Sequence, residues 1–281
     1  MTDRTERRDR GTLYIVSLPI GNLADITLRA ISTLRAVDLI IAEDTRTTKR
    51  ILNRYRIKTP FYSSLYQGVE QRRVEAIIGL LQGGKDLALV SDAGTPLISD
   101  PGYPLVRAAI EGGFRVVPIP GPTAAIAALV SSGLPTDRFA FFGAVPRRPG
   151  ERRRFFERIR REEKTSIVHP SPHRLEATLA TIAEILPERR LVLARELTKV
   201  HEEFLRGTAE AIRGMLAEGV RKGECVLIIE GGGGSDGSEV ARRTASILMA
   251  EGVPKRAILR ALTSGLGVSR NEAYALIHPP D

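Results

Sequence analysis

Apolar positions in the first half of the chain fall into two alternating patterns. Short continuous runs at 13–17, 37–42, 87–90 and 115–119 have the length and composition of buried strands. Between them, 26–34, 45–55, 69–81 and 103–111 repeat at intervals of three and four, the spacing of helices with one face on a core. The stretch 121–132 is small and apolar throughout and reads as a buried helix. Strands alternating with helices imply a mostly parallel sheet covered on both faces.

The texture changes near 134–148, where Pro135, Gly143, Pro146, Pro149 and Gly150 punctuate the chain. Strand-like runs resume at 139–142, 166–169, 191–194 and 226–229, with helical spacing at 151–161, 174–186 and 209–218. The expected organisation is α/β throughout: an N-terminal domain over 11–134 and a second α/β domain over 135–230. Gly231 to Gly234 with Ser235, Asp236, Gly237 and Ser238 reads as a flexible linker over 231–238. A short helical module over 239–281 follows. In it, helical spacing at 240–249 and 255–262 precedes Ser269-Arg270-Asn271-Glu272, a capping-box pattern, which together resemble a helix-turn-helix.

Composition narrows the function classes. The 281 residues carry 42 Lys and Arg against 33 Asp and Glu, a net charge of +9, and the cations are mostly arginine, whose planar fork suits phosphate. No apolar run approaches the roughly 18 to 20 residues that span a bilayer, and the charged first ten residues lack the apolar core of a secretion signal. No membrane association is expected, and the compartment is expected to be cytoplasmic. The single cysteine, Cys225, lies in an apolar run and reads as a buried thiol. The four histidines show no metal-ligand spacing; His169 and His173 are four apart but separated by Pro170 and Pro172.

Three loops follow strands of the first half, at the carboxyl ends where open α/β sheets bind ligands. They are Pro19-Ile20-Gly21-Asn22-Leu23, Ser91-Asp92-Ala93-Gly94-Thr95-Pro96 with its continuation through Ser99-Asp100, and Gly121-Pro122-Thr123-Ala124-Ala125. All are rich in small residues that let backbone approach a ligand, and Thr123 is placed to cap the helix it enters. None is a dinucleotide fingerprint or a P-loop. Two further strand ends carry charges of both signs, Glu43-Asp44-Thr45-Arg46 and Arg195-Glu196-Leu197-Thr198-Lys199, which suits orienting a phosphodiester and moving a hydroxyl proton. The stretch 147–164 holds nine basic residues and four acids. With Arg147, Arg148 and the run Arg152-Arg153-Arg154 it reads as a phosphate-contacting face, and Arg270 as a second contact in the helical module. The alternative is a solvated helix laced with Glu–Arg pairs.

As a set, these loops resemble the ribosomal RNA small subunit methyltransferase I family. The resemblance runs from Leu18-Pro19-Ile20-Gly21-Asn22-Leu23 through Glu43-Asp44-Thr45-Arg46, the loop from Val90 to Pro96, Gly121-Pro122-Thr123-Ala124-Ala125 and Ala194-Arg195-Glu196-Leu197-Thr198-Lys199 to Lys222-Gly223-Glu224. It covers about residues 11 to 230 in order and spacing, and the helical tail is similar to that family's helix-turn-helix. The resemblance implies a tetrapyrrole-methylase fold, two α/β domains with the ligand cleft between them, commonly homodimeric. It implies S-adenosyl-L-methionine as donor and 2'-O-methylation of a decoding-region cytidine of 16S rRNA in the small ribosomal subunit. The donor site would use Pro19, Ser91, Asp92, Ala93, Gly94, Thr95, Gly121, Pro122, Thr123 and Ala124, with 171–174 near the adenosyl end. Glu43, Asp44, Arg46, Glu196 and Lys199 would line the reaction side, the proton acceptor being Glu43, Asp44 or Glu196. Two places depart from the family: 64–70 lacks its histidine-rich stretch, and His169-Pro170 replaces its aromatic-acid pair. A tetrapyrrole methylase and a donor-free RNA-binding relative are the competing readings.

Overall fold

The computed structural model describes residues 10–64, 70–216, 223–232 and 235–278. Strands β1 (Thr12–Val16), β2 (Leu39–Ala42), β3 (Phe61–Ser64), β4 (Leu87–Val90) and β5 (Arg115–Ile119) form one sheet, ordered β3-β2-β4-β1-β5. All four pairings are parallel, with Ile15 opposite Leu89 and Pro118, and Ile41 opposite Leu89. Helices α1 (Leu28–Ala36), α2 (Thr45–Arg54), α3 (Glu70–Gln82) and α4 (Tyr103–Glu111) provide the crossovers such pairings need. Each face of the sheet has its own core. One packs Val16, Leu34, Ile40, Ile51 and Val90, the other Leu13, Ile41, Ile77, Leu81, Leu87 and Leu105. Burial on both faces explains why β1, β2 and β4 read as continuous apolar runs rather than alternating ones, while the edge strand β3, with Ser63 and Ser64, is not anticipated by the sequence pattern.

The second sheet is built differently. β6 (Phe139–Ala144) pairs parallel to β7 (Thr165–His169), but β10 (Cys225–Ile229) runs antiparallel between β7 and β8 (Leu191–Arg195), and β9 (Glu203–Gly207) antiparallel at the edge. Its outer face is covered by α6 (Pro149–Arg160), α7 (Leu175–Ile185) and α8 (Ala209–Met215) over Phe156, Leu179, Ile182 and Ile212. Strand β9 is not legible in the sequence because its apolar pair Phe204-Leu205 is short and flanked by the charged Glu203 and Arg206. Helix α5 (Ala124–Val130) packs across the inner face, joining Ala125, Ala128 and Leu129 to Ile167, Val192, Val226 and Ile228. Helix α5 and Ile20 of the first domain therefore share a core with the second sheet, in which each fully buried aliphatic side chain contributes about 1.5–3 kcal/mol.

Two expectations change beyond residue 230. The glycine run starts as an anchored segment: the Gly232 N–H donates to the Glu162 carbonyl at 2.6 Å, and a Cβ on Gly231 would lie 2.0 Å from the Glu163 carbonyl oxygen. Helix α9 (Ser235–Ala250) then begins inside the expected linker. With α10 (Lys255–Arg260) and α11 (Arg270–Ile277) it forms a module with its own core of Ala241, Ala245, Ile258, Leu262, Ala273 and Ile277. Between α10 and α11 the chain makes a π-helical turn, Ala261–Gly265. The side chains of Asn271 and Glu272, and so the capping box, lie outside the described residues. Among the described residues no helix is long and apolar enough to cross a membrane.

Candidate active site

Strand order places the site. β1 and β4 are neighbours whose crossovers leave in opposite directions, so their carboxyl-end loops face one crevice. Backbone bonds knit those loops together: Leu18 N–H to the Gly94 carbonyl at 2.8 Å and Gly94 N–H to the Leu18 carbonyl at 3.0 Å. The Ser17 and Thr95 hydroxyls lie 3.0 Å apart, and Thr95 donates to the Pro122 carbonyl at 3.1 Å, which ties in the third loop. A Cβ at Gly121 would sit 2.7 Å from Ser17 Cβ, so only glycine permits this approach.

The three loops meet the second domain around two adjoining cavities. One, of about 250 Å³, is lined by Ala93, Gly94, Thr95, Asp100, Thr123 and Ala124, and across the cleft by His169, Glu224 and Cys225. The other, of about 440 Å³, is lined by Pro19, Ile20, Gly21, Thr47, Arg50, Asp92 and Ala93, facing Lys199 and Glu224. Both share Ile20, Ala93 and Glu224. The domains touch directly here. The Asn22 N–H donates to the Thr198 hydroxyl at 2.9 Å, and a Cβ on Gly21 would lie 2.7 Å from Lys199 Cγ.

Of the residues expected at the donor site, Ala93, Gly94, Thr95, Thr123 and Ala124 line the smaller cavity and Pro19, Asp92 and Ala93 the larger. Ser91, Gly121 and Pro122 line neither cavity. Ser91 is buried and donates to the Ala93 carbonyl at 3.2 Å, and Pro122 accepts from Thr95. Thr123 stands at the N-cap of α5, but its hydroxyl makes no capping bond.

Carboxylates gather behind the loops. Burial raises the pKa of Glu43, and the charges of Asp100 and Asp92 add to the effect. Burial also raises Asp92 and Asp100. Asp92 Oδ1 accepts from the Asp44 N–H at 2.9 Å, which fixes the β2–α2 turn against the β4 loop. Asp44 is different: it caps α2, accepts from the Arg46 N–H at 2.8 Å, and pairs with the Arg46 guanidinium at 2.7 Å, which lowers its pKa. On the opposite wall, Glu196 accepts the Glu224 N–H at 2.8 Å and binds Lys199 Nζ at 2.9 Å, so its pKa falls. Lys199 also reaches Glu224 at 3.4 Å; burial acts to lower its pKa, and the two carboxylates outweigh that and raise it.

Backbone strain concentrates in the same loops. Leu97, Ser99, Glu196 and Thr198 hold φ values of 75°, 73°, 48° and 66°, in the left-handed region that side chains other than glycine rarely occupy. His169 packs edge-on against Phe141 with ring centroids 5.4 Å apart; burial lowers its pKa, and Nε2 has no hydrogen-bond partner among the described residues.

Sequence reasoning missed Asp100 and Glu224 as site residues. Asp100 lies in a loop already singled out, where its turn-forming neighbours Ser99 and Pro101 mask it. Glu224 ends the family-like Lys222-Gly223-Glu224 but carries no assigned role there, and only the antiparallel Cys225–Arg195 pairing brings it to Glu196 and Lys199. Lys222 and residues 65–69, where the sequence departs from the family, lie outside the described residues.

The expected arginine face on α6 needs correction. Arg152 is 8% exposed and donates from Nε to the Thr181 hydroxyl at 3.0 Å, so it packs inward on α7 instead of facing solvent. Arg153 pairs with Glu184 at 2.7 Å and Arg148 with Glu151 at 3.4 Å. Arg147 and Arg154 remain exposed and, among the described residues, have no ion pair, and Arg270 opens α11, in the separate helical module.

Comparison with known proteins agrees with this geometry. Residues 12–213 match the sequence model of the Tetrapyrrole (Corrin/Porphyrin) Methylases. A solved uroporphyrin-III-C-methyltransferase from Thermus thermophilus superposes with a TM-score of 0.56 at 20% identity, covering 79% of this chain and 94% of its own; a diphthine synthase gives 0.61 at 14%, covering 79% and 90%. These two structures establish the fold. The protein named ribosomal RNA small subunit methyltransferase I of Halalkalibacterium halodurans is 43% identical over 97% of this chain and 96% of its own. Its namesake from Escherichia coli O157:H7 is 46% identical over 94% of each. The chain thus belongs to the tetrapyrrole methylases and, within them, to the ribosomal RNA small subunit methyltransferase I family. Members of that fold take the methyl group from S-adenosyl-L-methionine.

Proposed function

We propose that this chain transfers a methyl group from S-adenosyl-L-methionine to the ribose 2'-hydroxyl of a decoding-region cytidine in 16S rRNA, acting on the small ribosomal subunit in the cytoplasm. The observation that carries the reading is the cleft itself: small-residue loops from one domain and a Glu–Lys–Glu cluster from the other surround two adjoining cavities of about 250 and 440 Å³, the larger lined by Arg50 and Lys199. The residues present fit a cationic donor. Burial raises the pKa of Glu43, Asp92 and Asp100, with the charges of Asp100 and Asp92 adding at Glu43, Asp92 at Asp100 and Asp44 at Asp92, and none of the three forms an ion pair with a cation of this chain among the described residues.

The donor supplies a methyl group already activated by positively charged sulfur. What remains for the protein is alignment and proton removal, and alignment is worth on the order of 7 to 11 kcal/mol in favourable cases. Among the three candidate acceptors, Asp44 is engaged by Arg46 and Glu196 by Lys199, which lowers both. Glu43 is half-buried with a raised pKa, so it is the stronger base and takes the hydroxyl proton. Lys199 and Arg50 line the larger cavity and, with the exposed Arg46, hold the phosphates that flank the reacting ribose. Arg147, Arg148, Arg153 and Arg154 at the start of α6 extend the contact to neighbouring RNA.

The chain acts as a homodimer. Exposed apolar side chains on the edge strand β6 (Phe139 and Phe141) and on α5 (Ile126 and Val130) support a face of self-association. The test of function is transfer from labelled donor to purified small subunits lacking their own modification, with the product mapped by nucleotide. A single 2'-O-methyl cytidine in the decoding region is expected. Donor binding without transfer to subunits or to naked 16S RNA overturns the substrate, and methylation of a tetrapyrrole instead establishes the rival reading.

A further inference from the structure

The C-terminal module carries cations that the cleft does not use. A notch of about 460 Å³ opens on it, lined by Arg256, Leu259, Arg260, Thr263, Val268 and Arg270. Arg256 and Arg260 are one turn apart on α10, and Arg270 begins α11. All three are exposed, and among the described residues none is held in an ion pair. On α6, by contrast, Arg148 and Arg153 are each paired with a glutamate. The Thr263 hydroxyl is engaged by the Leu259 carbonyl at 2.9 Å, which leaves the polar capacity of the notch to the guanidinium groups. Three like charges around one concavity repel each other unless an anion lies between them.

The surroundings add two features. The module has its own core, so the three arginines stand on a packed platform. Tyr274, one turn beyond Arg270 on α11, is 57% exposed, with its ring 4.5 Å from that of His278, and Lys255 at the start of α10 reaches His278 at 3.2 Å. Unpaired guanidinium forks beside an exposed aromatic ring match the two groups that RNA presents, backbone phosphate and the face of an unstacked base. Leu259 and Val268 are half-buried, so the notch offers little of the apolar area that forms the centre of a protein–protein contact.

We propose that this notch is a second RNA-contact site, in which Arg256, Arg260 and Arg270 take backbone phosphates of structured RNA away from the nucleotide that reacts. The proposal rests on the reading of RNA as substrate. Arg270 is visible in the sequence as a capped basic helix start; Arg256 and Arg260 join it only because α10 folds back beside α11. A site that touches no reacting atom acts on docking, so its loss falls on KM and leaves kcat at saturating substrate.

The test is the triple variant R256A/R260A/R270A in the full-length chain, with circular dichroism and donor affinity confirming the fold. Binding to naked 16S RNA by fluorescence anisotropy at several salt concentrations is the primary readout. We expect Kd to rise about ten-fold or more, and the slope of log K against log salt to flatten by roughly two to three, since each phosphate contact contributes about 0.7–0.9. KM for small subunits rises in parallel, and the triple lysine variant recovers part of the loss. An unchanged Kd and salt slope overturn the proposal, and so does weaker binding to subunits with unaltered binding to naked RNA, which assigns the notch to a ribosomal protein. If the wild-type chain binds RNA through the notch yet methylates no subunit, the underlying reading fails and the notch stands.

Discussion

The two walls of the cleft are both acidic, but they handle their charge in opposite ways. On the N-terminal side Glu43, Asp92 and Asp100 lie close together, and burial with repulsion from neighbouring carboxylates, Asp44 among them, raises their pKa values. On the C-terminal side Glu196 and Glu224 close on Lys199 at 2.9 and 3.4 Å, and the Glu196 pKa falls. A cluster in which carboxylates share a cation stabilises the fold that contains it. A repelling cluster does not, and is retained where a ligand supplies the missing charge. The contrast assigns the first wall to proton chemistry and the donor's charge, and the second to fixing Lys199 at the larger cavity, where it meets phosphate, and holding the loop at Thr198 in register.

The largest effect is expected at Glu43. Glu43→Gln should lower the single-turnover methyl-transfer rate by about 10²–10⁴-fold, the usual contribution of general base catalysis, with donor affinity changed only a few-fold. An equal loss from Glu196→Gln would dissolve the distinction between the walls. Next comes Lys199→Met, which leaves Glu196 and Glu224 facing each other without a cation. Because the pair is partly solvent-exposed the cost is modest, about 1 kcal/mol, or roughly 2–4 °C in calorimetric Tm for a protein of this size.

Smaller still is the response to pH, and here the walls should differ in sign. The N-terminal carboxylates have folded-state pKa values above their unfolded ones, so the folded protein holds protons that the unfolded chain releases. Their contribution to stability is complete below an unfolded pKa of about 4 and is lost as pH rises through the raised values. Glu196 is depressed, so its contribution is present above about pH 4.3 and is lost as pH falls through its lowered value. Asp100→Asn should therefore leave the ligand-free protein as stable at pH 7 as the wild type or more so, in urea titrations, while Glu196→Gln should weaken it. The smallest effect is expected at Ser99, whose φ of 73° strains a residue with a side chain. Ser99→Gly should raise stability by up to about 1 kcal/mol.

Much of this arrangement was legible in the sequence, and the limits follow from how each feature is encoded. Strands β1, β2 and β4 of the parallel sheet could be read because they are buried on both faces and appear as unbroken apolar runs, whereas the edge strand β3, Phe61-Tyr62-Ser63-Ser64, carries no such run. The antiparallel insertion of β10 between β7 and β8 could not, since pairing direction leaves no mark on a buried run. The loops at Pro19, Ser91 and Gly121 were visible as small-residue turns at strand ends, yet Asp100 and Glu224 became site residues only through contacts made in three dimensions. Arg152 shows the reverse error. Within a run of three arginines it looks solvated, but helical periodicity turns it inward onto Thr181. The glycine run after Glu230 suggested slack by composition, while Gly231 and Gly232 are glycines because backbone passes close beside them.

The claim that the N-terminal wall receives a cation is tested most directly by calorimetric binding of S-adenosylmethionine and of S-adenosylhomocysteine, which lacks the positive sulfur, to the wild type and to D92N/D100N. The account predicts that the double variant loses about ten-fold or more in affinity for the sulfonium ligand and clearly less for the neutral thioether, so that the preference between them shrinks. Equal losses for both ligands, or none for either, would contradict it and leave the three carboxylates without the role assigned to them.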